Sequence, residues 1–215
     1  MPLAPSPTRA GARPLVVVAT PDAPVPGWVR EWVDGEPDVV SAGPALVVSA
    51  AARGADGPLL LLRSAAPEPP RTVVVAVQEQ AADAPVLEAA VAVSEACGAR
   101  LRIVHAVPRS FGERSVGLDE AVRRGRRLVG AAAAAVGAGS AGGTADTGEA
   151  GGAGGGSAVA ELVRAWPHEV LDETLDADLL VVGGARPSPP TELGLTTRSA
   201  LWHAPCPVLV VPRGA

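Results

Sequence analysis

From residue 72 onward, short uncharged apolar runs alternate with segments whose apolar residues recur at helical spacing. Residues 72–77, TVVVAV, are rich in β-branched side chains and read as a buried strand. In the next segment Val86, Leu87, Ala90, Val91 and Ser94 share one helical face, with Asp83 placed to cap the helix and Gly98 to end it after Cys97. Residues 101–107 repeat the strand pattern, and 117–136 form a second helical segment. Val159–Val163 and a short helix over 168–175, with Pro167 near its start, follow. The last block, 176–214, holds an apolar strand ending in Gly183-Gly184, a Pro-broken polar loop, a helical segment over 196–203 and a final strand at Val208–Val211. Strands and helices in alternation predict an α/β fold, a doubly wound parallel five-stranded sheet.

The first third of the chain is less regular. Residues 1–13 are rich in Pro, Ala and Arg and read as a disordered tail. Residues 15–19 read as a buried strand, and 27–34 as a short helix with Trp28 and Trp32 on one face. Residues 45–49 and Leu59–Leu62 are taken as further strands, and 66–71 as a stiff Pro-rich linker. The predicted division is therefore a small degenerate α/β half-domain over 14–65, the linker, and a main domain over 72–213. A Gly/Ala/Ser tract over 137–157 lacks any apolar periodicity and reads as a flexible loop. The 44–63 segment also echoes 178–211, two apolar runs introduced by Pro, as though an intervening helix had been lost.

Composition narrows the chemistry. Hydrophobic residues make up 47% of the 215, enough for a core, but with one Phe and no Tyr that core must be Val, Leu and Ala. All 18 basic residues are Arg, which excludes a phosphate-loop lysine or a Schiff-base lysine. A net charge of −5 argues against broad nucleic-acid or anionic-membrane binding, with Arg123, Arg124, Arg126 and Arg127 the local exception, read as a solvated helix face. Three His and two Cys at scattered positions give no metal-ligand spacing and no disulfide framework. With no leader-like or membrane-length apolar run, the chain reads as cytoplasmic. Ser199 and His203 stand four apart on the last helix, yet no nucleophile elbow or orienting carboxylate accompanies them, so no catalytic residue is assigned.

The order of landmarks from about Arg71 resembles universal stress protein domains, which end in a glycine loop, a Gly-Ser/Thr helix start and a Pro-Val-x-Val-Val strand. Here these are Gly183, Gly194 and the run from Pro207 to Val211. The resemblance implies a Rossmann-like sheet of strand order 3-2-1-4-5. It places a ligand crevice at the carboxyl ends of the first and fourth strands, with Gln78 opposite the Gly183 loop. The echo of 178–211 in 44–63 then has two readings: residues 14–64 are an eroded first repeat of a tandem member, or the Val/Leu runs are alike by chance.

In the family, ATP is held by an acid after the first strand, by glycines that admit phosphate to backbone N–H groups, and by a hydroxyl at a helix start. The positions of this chain that match are Gln78, Ala106, Val182, Gly183, Arg186, Gly194, Leu195, Thr196 and Thr197. Gln78 stands where an acid is expected, Arg186 replaces the second loop glycine, and Leu195 replaces the hydroxyl residue, with Thr196 and Thr197 displaced by one and two. Pro187, Pro189 and Pro190 remove N–H donors from the cradle.

The reading is a non-enzymatic regulatory or stress-response module with lost or altered ATP binding and no other cofactor. It acts through protein partners, as a homodimer or as an intrachain pseudo-dimer in which Leu59–Leu62 caps the last strand. The alternative is an ATP-binding sensor or slow ATPase using Gly183, Arg186, Gly194 and Thr196. A third class, another nucleotide-binding α-hydrolase, lacks its Lys, its Ser-Gly-Gly cluster and any metal constellation.

Overall fold

The computed structural model describes residues 15–18, 24–33, 37–52, 57–62, 69–107, 116–140, 158–165, 169, 175–185 and 193–214. The strands are β1 (Leu15–Val18), β2 (Asp38–Ser41), β3 (Leu59–Leu62), β4 (Thr72–Ala76), β5 (Arg100–Ala106), β6 (Val159–Val163), β7 (Leu179–Gly183) and β8 (Val208–Val211). The helices are α1 (Gly27–Trp32), α2 (Pro44–Ala52), α3 (Ala84–Cys97), α4 (Val116–Ser140) and α5 (Leu195–His203).

All eight strands join one sheet in the order β2-β1-β3-β8-β7-β4-β5-β6. Within it β6-β5-β4-β7-β8 is the parallel 3-2-1-4-5 arrangement that the resemblance implies. The remaining three strands extend the sheet past β8. β3 pairs antiparallel with β8, matching Leu59 with Val210, Leu60 with Leu209 and Leu61 with Val208. β1 and β2 then continue parallel to β3.

Period-2 alternation divides the sheet side chains between two cores. Val73 and Val75 join a cluster with Trp28 and Val29 of α1, Val86, Ala90 and Val93 of α3, and Ala132 and Val136 of α4. Val74 faces the other way, into a cluster with Val47 of α2 and Ala200 and Leu201 of α5. α1 therefore lies beside α3 on one face, and α2 beside α5 on the other. About the β3–β8 seam, three strands with α1 and α2 lie on one side and five strands with α3, α4 and α5 on the other.

One element differs in type from its expected form. Residues 45–49 lie within the helix α2, not in a strand. ALVVS is too short a run to separate helix from strand by periodicity. The deciding features are Pro44 at the first helical position, where its missing N–H costs nothing, and the three alanines that follow. The echo between 44–49 and the β7 strand therefore sets a helix against a strand. β2 was not anticipated; its four residues are exposed at the outer edge, with Val39 and Val40 48% and 39% accessible, so it carries no burial alternation.

Elsewhere the pattern holds. Gly98 ends α3 with φ 62, the left-handed conformation that glycine adopts without strain. Trp28 is buried and Trp32 packs against the same core. α4 begins one residue before its expected start and runs four residues past its expected end, to Ser140. Gly125 lets it lie directly on the sheet: a Cβ there would fall 2.6 Å from Leu162 Cδ1 and 2.9 Å from His105 Cδ2. The linker 66–68, the tract 141–157 and most of the predicted 168–175 helix lie outside the described residues.

Candidate functional site

β4, β7 and β8 run parallel, so the residues that follow them emerge on one rim of the sheet. Gln78 follows β4, Gly183 ends β7, and Arg213 follows β8 after Pro212. α5 begins on the same rim with Thr196 and Thr197. These five meet in one polar chain.

Arg213 is its centre. Its side chain is 5% exposed and its Nε lies 2.7 Å from Oδ1 of Asp83, whose side chain is 2% exposed. The pair is held by charge and proximity rather than by a straight hydrogen bond, and neither of these two atoms has a hydrogen-bond partner. Arg213 Nη2 donates to Gln78 Oε1 at 3.2 Å, and Gln78 Nε2 donates to Thr196 Oγ1 at 2.8 Å. This orientation of the amide is dictated by its neighbours, because a guanidinium can only donate. Thr197 Oγ1 donates to the carbonyl of Gly183 at 2.6 Å. The Arg213 guanidinium lies against the α-carbon of Gly183, in the space a Cβ would need.

Asp83 was expected to cap α3. It stands at the N-cap position, but its side chain makes no capping hydrogen bond. Its Oδ2 turns back and accepts the backbone N–H groups of Gln78 at 2.5 Å and Glu79 at 2.8 Å. One carboxylate thus fixes the loop after β4 and neutralises Arg213. The chain past β8 is pinned to the same loop, since Gly214 N donates to Ala82 O at 3.0 Å.

The matched positions divide accordingly. Gln78, Gly183, Thr196 and Thr197 are brought together. Val182 is 1% exposed, with its side chain in the core beneath the rim. Ala106 ends β5 and aligns with Val163 of β6. Leu195, the first residue of α5, is 84% exposed. Gly194 has open space where a Cβ would be, so no close approach requires a glycine there. Arg186 and the prolines after it lie outside the described residues. His105 is a packed strand residue whose Nδ1 is 2.8 Å from the Val77 carbonyl. Among the described residues no group of His, Cys, Asp or Glu is placed to hold a metal ion, and no helix is long and apolar enough to cross a membrane.

Sequence reading missed Asp83 and Arg213 as site residues. The signal for Arg213 was available: a residue just past the last strand of a parallel sheet must reach the rim where the first and fourth strands end. Asp83 left a weaker trace, as a carboxylate five residues after Gln78, close enough to fold back on it.

The universal stress protein family model matches residues 69–212. The chain belongs to the universal stress protein family. Among solved structures, UspA, a universal stress protein from Lactobacillus plantarum, is 18% identical with a TM-score of 0.51, covering 66% of this chain and 97% of that one. A functionally unknown protein from Pseudomonas aeruginosa PAO1 is also 18% identical, with a TM-score of 0.54, and the match covers 93% of this chain. The chain spans 63% of the length of that protein. No curated protein matches the sequence. The family model and the single-domain match each take in about two thirds of the chain, whereas the match to the longer protein takes in nearly all of it. At these identities the likeness speaks for the fold alone.

Proposed function

We propose that this universal stress protein is a nucleotide-independent regulatory module of the cytoplasm whose crevice is filled by its own Arg213. The observation that carries the reading is the position of that side chain, buried over Gly183 and paired with Asp83. In the family a glycine at this loop leaves room for phosphate to approach the backbone; here a guanidinium takes the room, and the Thr196 and Thr197 hydroxyls at the start of α5 already have partners. An ATP molecule would have to displace Arg213, leave Asp83 buried without its counter-charge, and break the Gln78–Thr196 bond. Each of these costs free energy that binding must offset.

In the same reading residues 14–64 are a compressed first repeat, and the molecule is a pseudo-dimer within one chain. β3 occupies the edge of β8 that would otherwise be free to pair with a second copy. The output then passes through protein partners rather than turnover of a substrate.

Calorimetric titration with ATP, with and without Mg²⁺, tests this directly. The folded wild type is expected to give no saturable heat. Saturable micromolar binding would instead favour the ATP-sensor reading, with Arg186 and Arg213 as phosphate ligands.

A further inference from the structure

The two faces of the sheet differ in charge. On the side of α1, α3 and α4 the exposed positions include both signs, with Arg30 and Glu31 on α1, Glu88 and Glu95 on α3, and Glu120 and Arg123 on α4. α2 and α5 lie side by side on the opposite face and carry no acid at all, in a chain that holds 23. Arg198 is the one permanently charged residue in either helix.

Apolar exposure runs the other way. Leu46 of α2 and Leu195 and Trp202 of α5 are three of the six exposed large hydrophobics among the described residues. Leu195 and Trp202 are seven positions apart, two helical turns, so they stand on one stripe about 10 Å long. Thr196, Thr197, Ala200 and Leu201 take the buried side of the same helix, and Arg198 is exposed beside the stripe. A single exposed Leu is ordinary. A Leu and a 46% accessible Trp aligned on a helix without acids form a surface that is apolar by exposure and by composition.

We propose that this stripe docks an amphipathic helix of a partner protein, apolar where it meets Leu195 and Trp202 and acidic where it meets Arg198. The proposal rests on the reading that the output passes through protein partners, and it names the face they use. Charge selects the occupant. A second copy would bring two copies of Arg198 together with no acid in α2 or α5 to pair them. An anionic membrane surface calls for a helix rich in Arg or Lys, and α5 has one Arg. An acidic helix supplies the counter-charge, and Trp202 offers it the kind of aromatic anchor that interfaces favour.

The test is an NMR titration of the ¹⁵N-labelled full chain with a synthetic helical peptide carrying Leu at i, i+3 and i+7 and Glu at flanking positions, beside the same peptide with Lys for Glu. The Trp202 indole N–H, assigned by its loss in Trp202→Phe, is expected to shift saturably with the Glu peptide and to need at least about tenfold more of the Lys peptide. Trp202→Ala should weaken binding of the Glu peptide about tenfold or more in calorimetry, whereas Glu88→Ala on the other face leaves it unchanged. Arg198→Glu should reverse the preference to the Lys peptide, a swap that loss of the fold cannot imitate. The proposal is overturned by equal affinity for the two peptides, by a Trp202 signal that shifts with protein concentration alone, or by one that responds to phosphatidylglycerol vesicles and not to peptide. A folded wild type silent to both ATP and the Glu peptide overturns docking at α5 while leaving the filled crevice standing.

Discussion

A buried carboxylate and a buried guanidinium are each costly to take out of water, so Asp83 and Arg213 persist in the interior only by facing one another. Removing either strands the other, but not equally. Asp83→Ala leaves Arg213 unpaired and also orphans the N–H groups of Gln78 and Glu79. It should lower stability by roughly 3–5 kcal/mol in urea unfolding, and Arg213→Ala by less, because Asp83 keeps its two amide donors. Gly183→Ala is a separate probe of the same contact. A methyl there meets the Arg213 guanidinium, which is the movable end of a long side chain, so the expected response is expulsion of that side chain rather than backbone collapse. A double-mutant cycle should then find that Gly183→Ala erases most of the coupling between Asp83 and Arg213. At this scale the sequence was only partly legible. Gln78, Gly183, Thr196 and Thr197 could be read from their family positions; Asp83 and Arg213 lie in no motif, and although the place of Arg213 just past the last strand pointed to the rim, their partnership across 130 residues did not show in the sequence.

At the scale of elements, the strands after residue 71 were legible because each is a short run of Val, Leu or Ile at strand spacing, and β4, β7 and β8 are largely buried on both faces. α2 and β2 were not, since ALVVS and DVVS are brief apolar runs whose state is set by neighbours rather than by period. The packing of α1 against α3 offers a chemical readout of its own. The Cys97 thiol, half-buried at the end of α3, is pushed up to about 11, first by burial and then by the charge of Glu31 on α1. The folded state therefore favours the neutral thiol. Its contribution to stability is full below the unfolded value near 9 and is lost as pH rises from there through 11. Alkylation of Cys97 at pH 8 should be slow in the folded protein, and Glu31→Gln should speed it by lowering the thiol's value. Unchanged kinetics would mean that α1 does not sit beside α3. On α4, on the same face, Gly125→Ala should cost about 1–3 kcal/mol by overpacking against Leu162 and His105, seen as a lower urea midpoint with an unaltered slope.

Over the whole molecule, the apolar β8 edge of the family domain is covered from within. Leu59–Leu62 is fully apolar and buried, as is Val208–Val211, and each supplies what the other lacks: a paired edge and a covered surface. The five-stranded order was readable from the succession of landmarks, and the capping of Val208–Val211 by Leu59–Leu62 as one of two alternatives; its antiparallel sense and the two strands beyond it were not, because nothing local in those segments specifies partners so distant in sequence. On native mass measurement the wild type should run as a single chain. Leu60→Pro, which removes one ladder donor and unseats β3, should release the β8 edge and produce dimers or larger species.

Arg213 sits over Gly183 with its guanidinium in the crevice, and its Nε–H reports on that position directly. In ¹⁵N-edited NMR, assigned by its loss in Arg213→Lys, this group should exchange slowly with solvent and keep its shift when excess Mg-ATP is added. An Nε–H that exchanges as fast as those of the surface arginines, or one that moves on addition of ATP, would contradict the account and return the crevice to nucleotide binding.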